Sequence, residues 1–249
     1  MYRTIIFSCL VISCLINISS SLKLPQYVKP CKLDATLDEC ALKNGRLAIP
    51  KLLNGDSKYK IPKLDPFLIK SLFVDHGSKQ IGLKLEMIDS QLTGLKNTQF
   101  TGSRMDMKKR HIEWDVFVPK VQLFGKYKAD GKILVLPIVG NGNGNITLVN
   151  LNATYTFDFN KEKRNGKDYI KITTSKIKFD CSRLYFKLDN LFNGDKLLGD
   201  NMNQFLDENW REVLNELGDP IAAPIAEIFT VIINGVVKEI PYDEVFLKR

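Results

Sequence analysis

Two periodicities divide the chain. From Ile81 to Phe159 apolar and polar residues alternate, and from Met202 to Ile232 the apolar ones recur every three or four positions. The alternation opens with Ile81, Leu83, Leu85 and Met87 against Lys84 and Glu86. It continues through residues 104–118, where Ile112, Trp114, Val116 and Val118 share a face, and then through PKVQLFGKY and GKILVLPIV. A period of two marks strands with one buried face. The clearest run sets Val149, Leu151, Ala153, Tyr155, Phe157 and Phe159 against Asn150, Asn152, Thr154, Thr156, Asp158 and Asn160. Asn165-Gly166, in KEKRNGKD, predicts a hairpin tip. Beyond it the apolar parity changes between Ile170/Ile172, Ile177/Phe179/Cys181 and Leu184/Phe186/Leu188, which predicts bulges in a strongly bent sheet.

Helical spacing appears twice. CKLDATLDECALKNGRLAIPKLLNG has Leu37, Ala41, Ala48 and Leu52 on one face, predicting a helix over about 36–53 whose capping box is Thr36 with Glu39. The last quarter carries Met202, Phe205, Leu206, Val213, Leu214, Leu217, Ile221, Ile225, Ile228, Phe229 and Ile232, with Pro220 and Pro224 inside the pattern. A kink is expected near Gly218–Pro220. From Ile221 to Val237 the helix is apolar nearly all round; on length and on Glu227 it reads as wrapped by the rest of the protein rather than membrane-spanning.

The N-terminus adds a compartment. MYRTIIFSCLVISCLINISSS has an early Arg3, an apolar stretch and small polar residues, the layout of a secretory leader with cleavage expected after Ser21. Residues 22–249 then suit one domain, since no Ser/Gly/Pro-rich linker divides them. The formal charge of +8 loses only Arg3 with the leader and becomes +7, a basic balance ordinary for solubility. Cys9 and Cys14 depart too, leaving Cys31, Cys40 and Cys181. In an oxidising compartment Cys31 and Cys40 are the natural pair, stapling an extended N-terminus to the first helix with roughly 2.7 kcal/mol of loop-closure stabilisation. Cys181 is left either as a buried small hydrophobe or as a thiol for an intermolecular bond.

Candidate chemistry is sparse. GNGNGNIT (140–147) follows a strand-like run, but its sixth position is Asn145 and a strand pattern follows, so it lacks both the third glycine and the helix of a phosphate-binding loop. It reads as a turn between strands. Asn145-Ile-Thr and Asn152-Ala-Thr are glycosylation sequons, one at that turn and one on a polar strand face. His76 and His111 are the only histidines and read as surface or structural residues. No HExxH, GxSxG or metal-ligand spacing occurs, and the acids show no catalytic pairing. The expectations are no enzyme, no cofactor and no metal. Basic clusters at 108–111 and 161–167 lack interleaved aromatics and read as solvated turns rather than a nucleic-acid surface.

CKLDATLDEC after the leader, IPKLDPF, GKILVLPIVGNGNGNITL, LDENWREVL and the ending IPYDEVF, in this order, resemble the takeout and haemolymph juvenile-hormone-binding protein family of insects over essentially the whole mature chain. The resemblance implies an α+β tubular lipid-binding fold: a long C-terminal helix wrapped by a highly curved antiparallel sheet, enclosing an apolar tunnel for one small lipophilic molecule. It also implies the Cys31–Cys40 disulfide. Moth hormone carriers of the family have a second disulfide, which Cys181 alone cannot make, so the takeout branch is favoured. The implied protein is a secreted monomeric carrier in haemolymph or another extracellular fluid, with transient membrane contact at most. The expected tunnel wall comprises Trp114, Val116, Phe157, Phe159 and Phe186 from strands, with Phe205, Leu214, Ile225 and Phe229 from helices. The rival readings are a lipid- or lipopolysaccharide-surface binder on the same fold and a secreted hydrolase.

Overall fold

The computed structural model describes residues 22–77, 82–134 and 136–248. The expected leader, residues 1–21, and the first alternating position, Ile81, lie outside them. The elements run β1 (Cys31–Lys32), α1 (Leu37–Leu52), β2 (Phe67–Gly77), β3 (Gly82–Thr93), β4 (Gln99–Asp106), β5 (His111–Ile133), β6 (Leu136–Arg164), β7 (Lys167–Asp180), β8 (Arg183–Leu188), α2 (Lys196–Glu208), α3 (Trp210–Val237), α4 (Tyr242–Val245) and β9 (Phe246–Leu247). Strands β2 to β8 form a seven-stranded antiparallel sheet in which β2-β3-β5-β6-β7 are successive neighbours, β4 pairs with β5 and β8 with β6. The sheet curls so that α3 meets strands from both of its sides, β2 on one and β7 and β8 on the other. The result is the expected α+β architecture, a curved antiparallel sheet around a long C-terminal helix.

Strands β5 and β6 are the spine. They pair from His111↔Asp158 to Ile133↔Leu136 without a register break. The inward face nevertheless changes parity midway: Ile112 and Val118 are buried on β5 before Pro119, and Val121, Tyr127 and Ala129 after it. The facing strand makes the same change at Asn150, whose φ is +50°. Both strands take the extra step together, so the sheet bends while its ladder survives. Val149 therefore does not share a face with Tyr155 and Phe157 as the alternation suggested.

Strand boundaries depart from the sequence reading in two connected places. GNGNGNIT is not a turn; it lies inside β6, with Gly144 opposite Gly125 and Gly140 opposite Ala129. Its glycines admit a crossing segment. A Cβ on Gly142 would stand 2.5 Å from the Asp189 carbonyl oxygen, and one on Gly140 would stand 2.7 Å from the Tyr127 hydroxyl. The hairpin that joins β5 to β6 is hidden within GKILVLPIV instead, where Leu134 adopts φ +54° next to the Ile133↔Leu136 pair. PKVQLFGKY belongs to β5, and residues 104–118 divide into β4 and β5 at a turn over 107–110. The Asn165-Gly166 tip forms as expected, both residues at positive φ between paired Arg164 and Lys167.

Helix side chains satisfy exposed strand backbone, which protects the sheet from edge pairing. On α1, Asp38 accepts from the Met105 N–H at 2.8 Å and Arg46 donates to the Phe100 carbonyl at 2.8 Å. On α2, Asp207 accepts from Phe186 N–H and Asn203 bonds both backbone groups of Leu188. On α3, Asn234 accepts from Ile172 N–H at the β7 irregularity. The anticipated capping box is absent, because the Thr36 hydroxyl donates back to Asp34 instead of accepting from the helix.

The Cys31–Cys40 disulfide joins β1 to α1, and β1 pairs with the C-terminal β9 through Cys31↔Phe246. Cys181 is free and buried. Helix α3 continues through Pro220 and Pro224; the interruption in this region falls earlier, at Asn209 between α2 and α3. At 28 residues α3 is also long and apolar enough to cross a membrane by length and composition, so length gives no ground against a span. Val213, Leu214, Leu217, Ala222 and Ala226 form a buried stripe toward the sheet, and Glu212, Asn215, Asp219, Ala223, Glu227 and Val231 an exposed one.

Candidate functional site

The inward side chains gather at two ends of the curled sheet. At one end Ile69, Leu83, Met87, Tyr127 and Ile138 pack with Met202, Leu206, Val213 and Leu217. At the other, Ile112, Phe157, Phe159, Ile170 and Ile172 pack with Cys31, Tyr242 and Phe246. Against these closed clusters lie inward residues that are only part-buried. Trp114, Tyr155, Ile233 and Val237 border the second cluster, and Phe186, Phe205, Ile221 and Ile225 the first.

Trp114 and Tyr155 stand on central strands whose neighbours cover their flanks. Tyr155 meets α3 through Phe229 and Thr230. The rings form one group: Trp114 lies 5.0 Å from Phe157 edge-on and 6.5 Å from Tyr155, while Tyr155 lies 6.4 Å from Phe229 on α3 and Phe100 closes the other side of Trp114 at 6.2 Å. The Tyr155 hydroxyl is 2.8 Å from that of Thr230, which is 2.6 Å from Ser175 Oγ and donates to the Ala226 carbonyl at 2.9 Å. Burial raises the Tyr155 pKa above the ordinary phenol value, so this hydroxyl stays protonated at physiological pH. Charge is missing from the core. Among the described residues the only buried polar or charged ones are Ser90 and Ser103.

The expected wall residues separate on this geometry. Trp114, Val116, Phe186, Phe205, Ile225 and Phe229 are part-buried and border the interior. Phe157 and Phe159 are fully buried in the disulfide-end cluster, and Leu214 is buried against Cys181 and Leu184. Those three are packing positions in this structure. Tyr155, Phe100, Ser103, Ser175 and Thr230 belong to the region and were absent from the expected set. Tyr155 was visible on the alternating face, whereas Ser103, Ser175 and Thr230 give no apolar signal at all.

Other candidate residues lie elsewhere. His111 bonds Asp158 at 2.7 Å through Nδ1 and Glu113 at 3.2 Å through Nε2 on the outer face of the sheet, and these carboxylates hold its pKa above the usual imidazole value. Arg104 bridges Glu113 and Asp115 beside it. The basic turns are partly engaged: Lys109 pairs with Asp106, Lys161 sits 3.4 Å over the Tyr242 ring, and Arg164 stacks on Tyr169 and donates to the Lys238 carbonyl. Asn152 is exposed. Asn145 lies part-buried within β6 between Phe124 and Lys187, not at a turn. A cleft of about 530 Å³ lies outside the tube between α1 and β4, where Leu37, Met105 and Met107 are mixed with Asp38, Arg104 and Lys108.

Comparison with known proteins agrees with this architecture. The chain is 29% identical to the circadian clock-controlled protein daywake of Drosophila melanogaster over 96% of its own length and 93% of the relative's. It is 26% identical to daywake of Drosophila yakuba, over 92% and 91% of the two chains. The crystal structure of Epiphyas postvittana Takeout 1 superposes with a TM-score of 0.76 at 27% identity, covering 88% of this chain and all of that one. Residues 7–247 match the profile described as haemolymph juvenile hormone binding protein, and the chain belongs to that family of lipophilic-ligand carriers.

Proposed function

We propose that the protein is a secreted carrier, residues 22–249 forming one binding unit, that sequesters a small lipophilic ligand between the curled sheet and α3. The observation that carries this reading is the set of inward apolar side chains left part-exposed, Trp114, Val116, Tyr155, Ile225 and Phe229. A packed core has no reason to leave aromatic surface facing inward, because each uncovered Å² forfeits about 25 cal/mol of burial. A terpenoid or fatty-chain ligand fills that space. Transferring about 250–350 Å² of ligand surface gives about 6–9 kcal/mol before ordering costs, which corresponds to a dissociation constant between about 40 μM and about 0.3 μM.

The mechanism is physical, with no bond made or broken. Ligand surface leaves water, the Trp114–Tyr155–Phe229 group supplies polarisable contact, and the Tyr155–Thr230 bond holds the helix at its distance from the sheet. The leader pattern and the Cys31–Cys40 disulfide support extracellular carriage. The test is native mass spectrometry of protein secreted by its own source, followed by lipid extraction. A stoichiometric lipophile of a few hundred daltons is expected. Protein that carries none, and takes up neither terpenoid nor fatty-chain probes, defeats the reading.

A further inference from the structure

Ser103, Trp114, Tyr155 and Ile177 form one cross-strand row on the inward face, each the register partner of the next across β4, β5, β6 and β7. The row carries three hydrogen-bonding groups inside an otherwise apolar space, and their hydrogens can be assigned. Thr230 has one hydroxyl hydrogen and three oxygen partners. Thr230 approaches both the Ser175 hydroxyl and the Ala226 carbonyl as the donor, so its one hydrogen is committed to them and Tyr155 donates to Thr230. That leaves Tyr155 satisfied as a donor.

The other two polar members of the row make no hydrogen bond among the described residues. Ser103 is 8% exposed and its hydroxyl has no partner. The indole N–H of Trp114 makes no hydrogen bond to any described residue, although its ring packs against Phe100, Tyr155 and Phe157. A buried hydroxyl without a partner carries an uncompensated desolvation cost, one a fold can shed by placing Ala there. Ser103 is the buried donor without a partner, and its register partner Trp114 brings a second donor with no acceptor among the described residues, so an acceptor oxygen entering beside the pair meets a donor on either strand. The buried Arg164 Nε lies against Tyr169 and Lys238 near the β6–β7 hairpin and not at this row, so it does not serve a desolvated carboxylate there.

We infer that the Ser103–Trp114 pair is the polar subsite of the carrier, taking the uncharged acceptor oxygen of a lipid ester or ketone and discriminating against both ionised fatty acids and plain hydrocarbons. This rests on the carrier reading. The Ser103 hydroxyl is covered, so a ligand's carbonyl reaches it by displacing the side chain that covers it. The hydrocarbon part then runs along the Tyr155–Phe229 side of the interior.

The experiment measures binding of methyl palmitate, palmitate and hexadecane to the full secreted chain at pH 8, in the natural protein and in Ser103→Ala and Trp114→Phe. Methyl palmitate is expected to bind more tightly than either of the others. Ser103→Ala should reduce the ester-to-hydrocarbon preference about fivefold, as expected for one neutral hydrogen bond, without lowering the thermal midpoint, since no bond in the free protein is lost. Trp114→Phe should reduce the same ratio while keeping an aromatic ring, and its folding is checked by circular dichroism. Palmitate binding should strengthen as pH falls and the acid becomes neutral. Palmitate bound as tightly as the ester at pH 8, or an unchanged ester-to-hydrocarbon ratio in a folded Ser103→Ala protein, overturns the subsite and leaves the carrier intact. A natural protein that binds none of the three overturns both.

Discussion

The Tyr155 hydroxyl oxygen lies 2.8 Å from that of Thr230, tying the central strand β6 to the C-terminal helix through the middle of the interior. The rings of Tyr155 and Phe229 lie beside it, tilted by 52° with centroids 6.4 Å apart. The bond acts as a spacer, because it fixes how far the helix stands from the sheet where apolar packing alone is incomplete.

Tyr155→Phe should therefore cost about 0.5–1.5 kcal/mol of stability, the net worth of one neutral hydrogen bond. Thr230→Val should cost a similar amount, and the double variant less than the sum of the two, because both remove one interaction. Chemical denaturation of the four proteins measures the coupling. Strict additivity would show that the hydroxyls act independently.

The glycines of β6 make a second prediction. Gly142→Ala places a methyl 2.5 Å from the Asp189 carbonyl, which backbone cannot yield cheaply, and should cost about 1–3 kcal/mol. Gly77→Ala has nothing within 4 Å and should shift stability by less than about 0.5 kcal/mol. Equal thermal midpoints for the two variants would show that the crossing segment is not held closely over β6.

These glycines also show what the sequence could and could not reveal. Period two exposed the strands, and the spacing of Met202 to Ile232 exposed the helices, because each element buries one face. Strand ends were legible only where turn chemistry is local, as at Asn165-Gly166. At Leu134 the hairpin is built from apolar residues that pack into the adjoining core, so the turn carries core composition. At Gly140–Gly144 the glycines answer to Tyr127, Leu188 and Asp189, contacts distant in sequence. The candidate site divides the same way. Aromatic wall residues were visible as apolar alternation, but Ser103 and Thr230 acquire meaning only once β4 and α3 are brought beside β6.

The His111 cluster sets a pH window. Its carboxylate partners raise the His111 pKa, so its contribution is complete below the unfolded value of about 6.5 and is lost as pH rises through the higher folded value. Hydrogen bonds from Arg104 and His111 lower the pKa of Glu113, and those from His111 and Thr174 lower that of Asp158; their contributions are complete above about pH 4.5 and lost at lower pH. The cluster should stabilise most between about pH 4.5 and 6.5. The groups are between 32% and 51% exposed, so the amplitude is below about 1 kcal/mol. His111→Gln should flatten the stability profile above pH 6, as followed by denaturation at successive pH values; an unchanged profile would remove the imidazole from the account.

The sequons differ in geometry. Asn152 is exposed on its strand, while Asn145 is part-buried between Phe124 and Lys187. In a eukaryotic secretion host Asn152→Gln should remove the mass of one glycan, and Asn145→Gln should remove less or none. Intact mass before and after deglycosylation decides it, and full occupancy at Asn145 with none at Asn152 would reverse the assignment.

The last prediction separates wall from core. Leu206 is 1% exposed within the larger cluster, whereas Phe229 is part-buried and faces Tyr155 across the interior. Leu206→Ala removes packed methyls and should cost about 2–5 kcal/mol with no change in which ligands are preferred. Phe229→Ala deletes a ring that packs on only part of its surface, so its stability cost should fall below the roughly 3–5 kcal/mol of a fully buried Phe. The same change lengthens the free space beside Tyr155. Affinity across methyl esters of increasing chain length should then shift its maximum toward larger ligands in Phe229→Ala and keep its position in Leu206→Ala. The comparison is internal, because both variants lose apolar volume and differ only in whether that volume bordered unfilled space. If both lose stability alike and neither moves the chain-length maximum, Phe229 is packing rather than wall, and the ligand lies elsewhere than between Tyr155 and α3.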